Sequence, residues 1–550
     1  MYLGVDVGGT HTDAALLSDS IKLVKTAKTP TLPDLSLTLE TVLNAILAGT
    51  EDPKAIRRLT VSTTLGLNAV LTGQSERVGL IYCSGPGLPW DDIPSAPWRR
   101  KLSGSQDHLG VVLKSFAPGE AARAAAELRA EGAASLVCAA KFGPKNPALE
   151  DAMAAEAQER HPGEVFRASA LFGGLNFPRR IASALLNASV AGLYRDFAAR
   201  LLATAQKLGL RAELFILQSD GGVLSAPAAA KSPALALSAG PAASLLGLWA
   251  LGLHAPQEDL LMVDMGGTSA DLALISRGKP LLAPQGLTVN RHKTLIRGLL
   301  SHSLALGGDT DLLYRDGVFE PLPVRRGPAL ALDPLGLAGR RLPTLTDATN
   351  VLRLSDVGDR SLSVKAFAAL APQDPRALAR AAIKSVFFKL KRAINSFIDE
   401  VNSAPIYTIG DFLVDWKVAP RRLAFLGGPA PSLVSLAQEY LGLEAFAPPE
   451  ASFANALGAA LARPTMEAEL YADTSLGTMT IPTLGVKRDI SANYDLGKAV
   501  QDLLAALQGL ASEPQITLAE SFDQMTGRGV GKIIRVKAQT APGLLAPPLD

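Results

Sequence analysis

The sequence contains an internal repeat that constrains the fold more than any other feature. The segment Asp6-Val-Gly-Gly-Thr-His-Thr-Asp-Ala-Ala-Leu-Leu aligns without a gap with Asp264-Met-Gly-Gly-Thr-Ser-Ala-Asp-Leu-Ala-Leu-Ile. Seven of the twelve aligned positions are identical, and most of the others are apolar in both copies. The copies start 258 residues apart, whereas solenoid repeats have periods of roughly 20–50 residues. The repeat therefore predicts two similar domains in one chain.

Apolar patterns along the chain alternate between strand and helix. Residues 2–7 and 14–17 predict a β-hairpin around a Gly-Gly turn, and residues 35–48 have helical spacing. Further predicted strands are 78–83, 135–139, 213–217 and 477–481, and further predicted helices are 119–131, 180–207, 235–253 and 496–510. Such alternation is typical of α/β proteins. We expect a first domain over 1–250, a second over 251–465, and a small α+β unit over 466–550.

Each copy of the repeat has the residues that a phosphate-binding loop needs. Two adjacent glycines carry no Cβ, so the N–H groups of Gly8, Gly9 and Thr10 can approach phosphate oxygens closely. The hydroxyls of Thr10 and Thr12 add donors. Asp6 at the strand end can hold Mg²⁺ through water, because this ion keeps several of its waters. The second copy offers the same set, namely Asp264, Gly266, Gly267, Thr268 and Ser269.

A lone Gly-Gly-Thr hairpin is most often an ordinary tight turn. Two matched hairpins that face each other instead predict a clamp for a triphosphate, with ATP and Mg²⁺ as the expected ligands. Asp6 and Asp264 are then candidate catalytic and metal-holding residues.

Other glycine-rich turns fit a nucleotide cleft. Gly240 opens an apolar helix that can aim its N-terminus at an anion. The pairs Gly307-Gly308 and Gly427-Gly428 are further candidates, and the second would let an adenosine lie on bare backbone. The Ala- and Gly-rich helix that starts near Asn455 suggests a close helix crossing and a hinge. Each turn alone is a weak signal, and the inference depends on their order.

Three polar positions in the repeats have two interpretations each. Asp13 and Asp271 start the outgoing strands, where an aspartate either satisfies backbone N–H groups or acts near the phosphates. His11 lies inside the first loop and is either an outward spacer or a contact to phosphate or substrate.

Composition excludes several classes of function. Lys and Arg number 54 and Asp and Glu number 52, so no basic face for nucleic acid is expected. Cys83 and Cys138 stand alone in apolar stretches and are interpreted as buried small hydrophobes in a reducing compartment. The first residues lack the pattern of a signal peptide, and the longest apolar stretch is too short to span a bilayer. We expect a cytoplasmic protein.

The order of motifs resembles the hydantoinase A / 5-oxoprolinase family from residue 1 to about 463. The segments that carry the resemblance are 6–13, Thr63-Thr-x-x-x-Asn68, Gln218-Ser-Asp-Gly-Gly222, Ser238-Ala-Gly-Pro-Ala-Ala243, 264–269, Pro343-Thr-Leu-Thr-Asp347 and Gly427-Gly-Pro429. The family belongs to the superfamily of actin, sugar kinases and heat-shock chaperone ATPases. The resemblance thus implies two actin-like domains around a central nucleotide cleft, with residues 1–180 as the N-terminal region of the family.

The same resemblance implies ATP-dependent opening of a cyclic amide such as a hydantoin or 5-oxoproline. Phosphorylation of the lactam oxygen would let water attack the activated carbon. By position, the two Gly-Gly-Thr loops match the phosphate loops of the family, and Gly427 and Gly428 lie near adenosine. Asn68, Asp220 and Asp347 are implied to lie near the cleft.

The chain also departs from the pattern of the family. His11 replaces a usual aromatic residue, Asp220 stands where Asn is common, and Asp309 interrupts a triple-glycine segment. An added carboxylate at Asp220 or Asp309 is either a general base, a metal ligand or a turn cap. The chain lacks the larger C-terminal half or separate subunit that acts with many members, so a hydantoinase B-like partner or a homo-oligomer is implied.

Two other functions remain open on the sequence. One is a kinase or ATPase activator of the same fold, with Asp220 as base toward another acceptor. The other is a nucleotide-gated, non-catalytic subunit of a larger hydrolase.

Overall fold

The computed structural model describes residues 1–50, 52–85, 93, 95–253, 258–333, 342–403, 417–510, 513–526 and 529–547. The described residues include two six-stranded β-sheets, one in each repeated half, and a five-stranded sheet in the C-terminal unit. These sheets fall within the ranges 1–250, 251–465 and 466–550.

The first half is built on a six-stranded sheet. Its central hairpin is formed by Tyr2–Val7 and His11–Leu17, which pair antiparallel. Strand Arg58–Thr63 runs parallel to the first hairpin strand, and Glu213–Leu217 runs parallel to Arg58–Thr63. Leu23–Pro30 and Val223–Ser225 form the two edges. The carboxyl ends of the three parallel strands meet at one edge, where ligands of open α/β sheets bind.

The second half repeats this arrangement. Leu260–Met265 and Ala270–Ser276 form the hairpin, and Arg422–Leu426 runs parallel to its first strand. Glu444–Phe446 follows in parallel, and the short strands Lys279–Pro280 and Ser301–Leu304 pair with the second hairpin strand. The duplication predicted from the sequence is therefore present in the sheet order.

A smaller parallel sheet is inserted in the first half. Its order is Val165–Arg167, Ser135–Ala140, Val78–Cys83 and Arg99–Lys101. The two cysteines lie in its central strands and are buried and unpaired, as expected for small core hydrophobes. Burial raises the pKa of the Cys83 thiol to about 12.

The C-terminal unit combines an antiparallel sheet with a helix, which agrees with the predicted small α+β unit. Its strands in order are Val486–Asp489, Thr478–Ile481, Glu467–Asp473, Gly529–Gln539 and Gln515–Thr526. Helix Leu496–Leu507 packs its buried residues Ala499, Leu503 and Leu507 against this sheet.

Two apolar helices cross between the halves. Ala239–Ala250 follows the last strand of the first sheet, and Ala454–Leu461 follows the last strand of the second. A Cβ added at Gly247 would lie 2.0 Å from the carbonyl oxygen of Ala454, and one added at Gly4 would lie 1.9 Å from that of Ala456. The glycines therefore let backbone touch backbone at the crossing and against the first strand.

The remaining helices cover the sheets. They are Leu35–Leu47, Leu65–Leu71, Glu120–Ala130, Ala148–Gln158, Ala168–Leu171, Phe177–Ser189, Ala191–Lys207, Ala226–Lys231, Leu345–Val351, Arg360–Ala368, Pro375–Ser403 and Ala430–Leu441. Among the described residues, no helix is both long and apolar enough to cross a bilayer.

Two helix predictions were wrong in detail. The stretch 180–207 is two helices that meet at Val190, because the carbonyl of Ser189 accepts a hydrogen bond from the N–H of Glu76 and does not continue the helix. In the stretch 235–253 the α-helix begins at Ala239. The N–H of the preceding residue, Ser238, donates to the Ser219 hydroxyl.

Candidate functional site

The two Gly-Gly-Thr turns have the same geometry. Asp6 pairs across its hairpin with Asp13, and Asp264 pairs with Asp271. The N–H of Gly8 donates to the carbonyl of His11 at 3.1 Å, and the N–H of Gly266 donates to that of Ser269 at 2.9 Å. The same backbone hydrogen bond therefore closes both turns. The second glycine of each pair, Gly9 or Gly267, lies at the tip of its turn.

The aspartates of the two halves meet at Asn455. Its side-chain Nδ2 lies 3.2 Å from Asp6 Oδ2 and 3.3 Å from Asp264 Oδ2. Asn455 lies in the first turn of helix Ala454–Leu461 and is the only polar residue of that helix. One amide thus holds carboxylates that are 258 residues apart.

The crossing helix contributes a second polar group. Ser244, the only polar side chain of Ala239–Ala250, donates from Oγ to Asp264 Oδ2 at 2.5 Å. Near the start of this helix, a Cβ added at Gly240 would lie 3.5 Å from the methyl group of Thr64. The helix therefore reaches from the first half to the aspartate of the second.

Burial makes these carboxylates weak acids. It raises the pKa of Asp6 to about 7, although the hydrogen bond from Asn455 lowers it. Burial also raises the pKa of Asp264, and it raises that of Asp271 to about 6. Burial raises the pKa of Asp13 as well. Lys28 opposes this rise, because its Nζ lies 2.8 Å from the Asp13 carboxylate. Among the described residues, neither Asp6 nor Asp264 forms a salt bridge.

The tips of the two loops lie close together and are open. A Cβ added at Gly267 would lie 4.0 Å from the methyl group of Thr10. A Cβ added at Gly9 would find nothing within 4 Å, and Thr268 is exposed. His11 is also exposed, with Nδ1 3.2 Å from the Thr10 hydroxyl. A ligand can therefore approach the loop backbone directly.

Thr12 has a supporting position. It is fully buried, and its hydroxyl lies 2.9 Å from that of Thr31. Thr31 in turn donates to the carbonyl of Gly8 at 2.9 Å. The Thr12 hydroxyl therefore supports the first loop through Thr31.

The pair Gly307-Gly308 lies against the second loop. The N–H of Gly308 donates to the carbonyl of Gly266 at 2.9 Å, and a Cβ added at Gly307 would lie 2.6 Å from Gly267. The carbonyl of Gly308 accepts from the hydroxyl of Thr346 at 2.9 Å. The adjacent Asp309 forms a salt bridge of 2.9 Å with Arg325.

The pair Gly427-Gly428 also adjoins the second loop. Gly427 has φ +86°, and a Cβ there would lie 2.2 Å from the carbonyl of Met265 and 2.8 Å from Asp264 Oδ1. Gly428 is exposed and would have nothing within 4 Å of an added Cβ. Only glycine fits the first position, and the second leaves free space beside the cleft.

Asp220 lies in a different environment. Its carboxylate accepts from the N–H of Gly222 at 2.9 Å and from the Thr465 hydroxyl at 2.8 Å, and it lies 3.1 Å from Arg297 Nη1. It lines a cavity whose wall contains no residue of the two Gly-Gly-Thr loops. The structure therefore does not bring Asp220 into the group around Asn455.

Asp347 and Asn68 take opposite positions. Asp347 is fully buried in a capping box with Thr344, and its oxygens also accept from the N–H groups of Leu330 and Ala331 and from the Ser363 hydroxyl. This arrangement gives no support to its placement in a substrate cleft. Asn68 is exposed on helix Leu65–Leu71, with Nδ2 3.3 Å from the Thr64 hydroxyl.

Sequence reasoning missed the roles of Asn455 and Ser244. Each is a single polar side chain in an otherwise apolar, buried helix. A buried polar group needs a partner, so each isolated polar residue was itself a signal. The partners could not be named, because one contact spans 449 residues.

The donor set around Asn455 suits a cation that keeps its own waters. Among the described residues, no group of three or more His, Cys, Asp or Glu side chains could enclose a metal ion. Asp6 and Asp264, which form no salt bridge with a described residue, still fit Mg²⁺, which is usually held by one or two carboxylates together with phosphates and water.

Comparisons with known proteins cover most of the chain. The family described as Hydantoinase/oxoprolinase matches residues 180–468, and its N-terminal region matches residues 2–161. The acetophenone carboxylase gamma subunit of Aromatoleum aromaticum is 25% identical over 401 residues, which are 64% of this chain and 53% of that protein. An uncharacterized protein of Methanocaldococcus jannaschii is 24% identical over 308 residues, or 51% of this chain and 44% of that protein. The chain thus spans about half the length of these curated relatives.

Two solved structures share the fold over nearly the whole chain. Nucleotide-free acetone carboxylase, described with ATP-dependent acetone carboxylation, has a TM-score of 0.73 at 19% identity and covers 98% of this chain and 88% of its own. The ATP-dependent caprolactamase of Pseudomonas jessenii has a TM-score of 0.70 at 18% identity and covers 100% and 88%.

The expected fold is confirmed: two actin-like α/β halves with a small C-terminal α+β unit. The family matches together cover more than half of the sequence. The chain belongs to the hydantoinase/oxoprolinase family.

Proposed function

We propose that the chain binds ATP with Mg²⁺ between its two Gly-Gly-Thr loops and uses it to open a cyclic amide. The observation that carries the proposal is the shared amide of Asn455, which gathers Asp6 and Asp264 from the two halves at one point. The open tips of both loops, at Gly9 and Thr268, lie beside that point.

The residues of the chain have separate tasks in this proposal. Backbone N–H groups of both loops bind phosphate oxygens. Asp6 and Asp264 hold the cation through water, and the cation offsets phosphate charge when it is bound. Asn455 and Ser244 position the two carboxylates. The bare backbone at Gly428 leaves room for the adenosine.

The acceptor follows from the family description, which names hydantoinases and oxoprolinases. We propose a hydantoin, a 5-oxoproline or a related lactam, whose amide carbonyl oxygen receives the γ-phosphoryl group of ATP as ADP leaves. Asp309, which adjoins the second loop and is paired with Arg325, is nearer to the loops than Asp220 in its contacts. It is therefore the stronger candidate for a carboxylate that acts beside the phosphates.

The first test is thermal unfolding with and without Mg-ATP. A ligand at 100 times its Kd adds about 2.7 kcal/mol of stability, which is several degrees for a large domain. We expect this shift in wild type and its loss in Asp264→Asn. Asp356→Asn is the matched control, because Asp356 is exposed and paired only with Arg360.

The second test is release of phosphate from ATP with hydantoin, 5-oxoproline or 2-pyrrolidinone. Ring opening should accompany stimulated release. Release that no cyclic amide stimulates would reject the acceptor, and a phosphorylated acyclic product would instead indicate a kinase.

One comparison favours a second candidate. A curated relative is the gamma subunit of a carboxylase, and this chain spans 53% of its length. We propose that the chain alternatively supplies the nucleotide step of an assembly that another subunit completes. Mg-ATP would then bind to the purified chain as above, but ring opening would need the second protein.

A further inference from the structure

A large cavity lies between the first half and the C-terminal unit. Its volume is about 940 Å³, within the usual range of small-molecule sites. Its wall combines the segment before helix Phe177–Ser189, the turn around Asp220, the loop that carries Arg297, and the strands Glu467–Asp473 and Gly529–Gln539. None of the lining residues belongs to the Gly-Gly-Thr loops.

The charged lining has more cations than anions. Its three carboxylates each have a cation: Asp220 lies 3.1 Å from Arg297, Glu469 lies 3.0 Å from Arg535, and Glu467 lies 2.9 Å from Lys537. Two more cations line the cavity, Arg179 and Lys231, and neither forms a salt bridge within the described part of the chain. The lining therefore carries a surplus of two positive charges.

Two lining side chains carry buried polar atoms without a partner. Arg297 is only 10% exposed; Nη2 donates to the carbonyl of Thr540 at 2.6 Å, whereas Nε makes no hydrogen bond to any described residue. The hydroxyl of Thr483 is likewise buried without a hydrogen bond to the described residues. Such groups are costly unless a ligand or water satisfies them.

Part of the wall is apolar. Leu171, Phe172, Leu224, Leu235 and Leu295 line it. A ligand that fills the cavity therefore meets both hydrocarbon and cationic, hydrogen-bonding groups.

We propose that this cavity is a separate binding site for a small organic carboxylate with an apolar body. The carboxylate lies toward Arg297 and the surplus cations, and the hydrocarbon part lies against the leucines. A singly charged head fits the lining better than a dianionic phosphate, because three carboxylates remain nearby. The site goes beyond the proposed nucleotide function and does not depend on it.

Calorimetric titration of the full chain without nucleotide tests the inference. Two pairs of probes are used. Hexanoate and hexanamide differ in the charge of the head group, and 5-oxoproline and 2-pyrrolidinone differ by one carboxylate. We expect at least one acid to bind and its neutral partner to bind roughly tenfold more weakly or worse, since a charged hydrogen bond is lost.

Variants locate the binding. Arg297→Gln should weaken the acid by a similar factor, whereas Arg195→Gln should not, because Arg195 is an exposed residue paired with Glu164 outside the cavity. If Arg297→Gln does not fold, the double variant Arg179→Gln/Lys231→Gln removes the surplus charge at less buried positions. It should weaken binding as well.

Three results would overturn the inference. They are equal binding of acids and neutral amides, acid binding unchanged in both cavity variants, and no binding of any probe at millimolar concentration. A fourth result, displacement of the acid by Mg-ATP, would also overturn it by assigning the acid to the phosphate loops. Failure of Mg-ATP to bind would leave the acid titration interpretable and would count only against the nucleotide proposal.

Discussion

Gly458 packs directly on Ala243 where the two apolar helices cross: a Cβ added at Gly458 would lie 2.1 Å from the carbonyl oxygen of Ala243. Asn455 lies one turn earlier on the same helix, and Ser244 follows Ala243 on the other. The close crossing therefore sets the position of both polar groups that hold Asp264.

Gly458→Ala should destabilise the fold and disturb the site together. The new methyl group meets the backbone of helix Ala239–Ala250, and overpacking typically costs about 1–3 kcal/mol. Urea unfolding measures this loss, and Mg-ATP titration measures the effect on the site. Gly497→Ala is the control, since its Cβ would have only the Asp495 side chain at 3.5 Å on helix Leu496–Leu507. It should be neutral or stabilising by about 0.5–1 kcal/mol. A harmless Gly458→Ala would show that the crossing can open.

Asn455→Ala should raise the pKa of both Asp6 and Asp264, because each carboxylate loses the hydrogen bond from the Asn455 side chain that lowers its pKa. We expect about 1–2 kcal/mol less stability without ligand and weaker Mg-ATP binding at neutral pH. Unfolding and titration at pH 6, 7 and 8 check this. Asn395→Ala on the long helix Pro375–Ser403 is the control, since Asn395 is exposed. Equal nucleotide binding by the two variants would contradict a positioning role.

The stability of the free protein should fall as pH rises from about 4 to 7. Asp6 has a pKa of about 7 in the fold against an ordinary 3.8, so between these values the folded state holds a proton that the unfolded state has released. The loss is up to about 1.4 kcal/mol per pH unit. Asp6→Asn should remove this share of the slope, and an unchanged slope would refute the assignment. Mg-ATP binding should change in the opposite direction and strengthen as pH rises through 7.

Asp347→Asn separates a structural role from a role in the cleft. The carboxylate accepts hydrogen bonds from three backbone N–H groups, and the NH2 group of the asparagine amide could not accept them. Each buried donor left unsatisfied costs about 1–3 kcal/mol. We expect a clear loss of stability with unchanged turnover per folded molecule. Asp359→Asn, an exposed helix cap, should cost about 1 kcal/mol or less. A loss of turnover in Asp347→Asn without a loss of stability would instead support a role for Asp347 in the cleft.

The repeat made the duplicated fold and its two equivalent turns predictable. Two copies of one hairpin motif imply two equivalent turns, and the turns have matching registers in the structure. The resemblance implied a cleft position for Asp347, although Thr344 and Asp347 have the three-residue spacing of a capping box, and the structure shows that box.

Long-range contacts were not predictable. Nothing in the neighbourhood of Asp220 reveals that Thr465, 245 residues away, donates to it. The same limit applies to Val190, where a distant N–H from Glu76 ends the helix. Hydrophobic periodicity describes which face of an element is buried, but not which polar group from elsewhere will reach it.

The two crossing helices hold equivalent places after the last strand of each half, yet one carries Asn455 and the other Ser244. In a symmetric pair of separate, identical halves, both helices would bear the same side chain. Joining the halves in one polypeptide removes that constraint, so mutation can tune each carboxylate independently. The fused chain thus has an asymmetric centre that two identical halves could not encode.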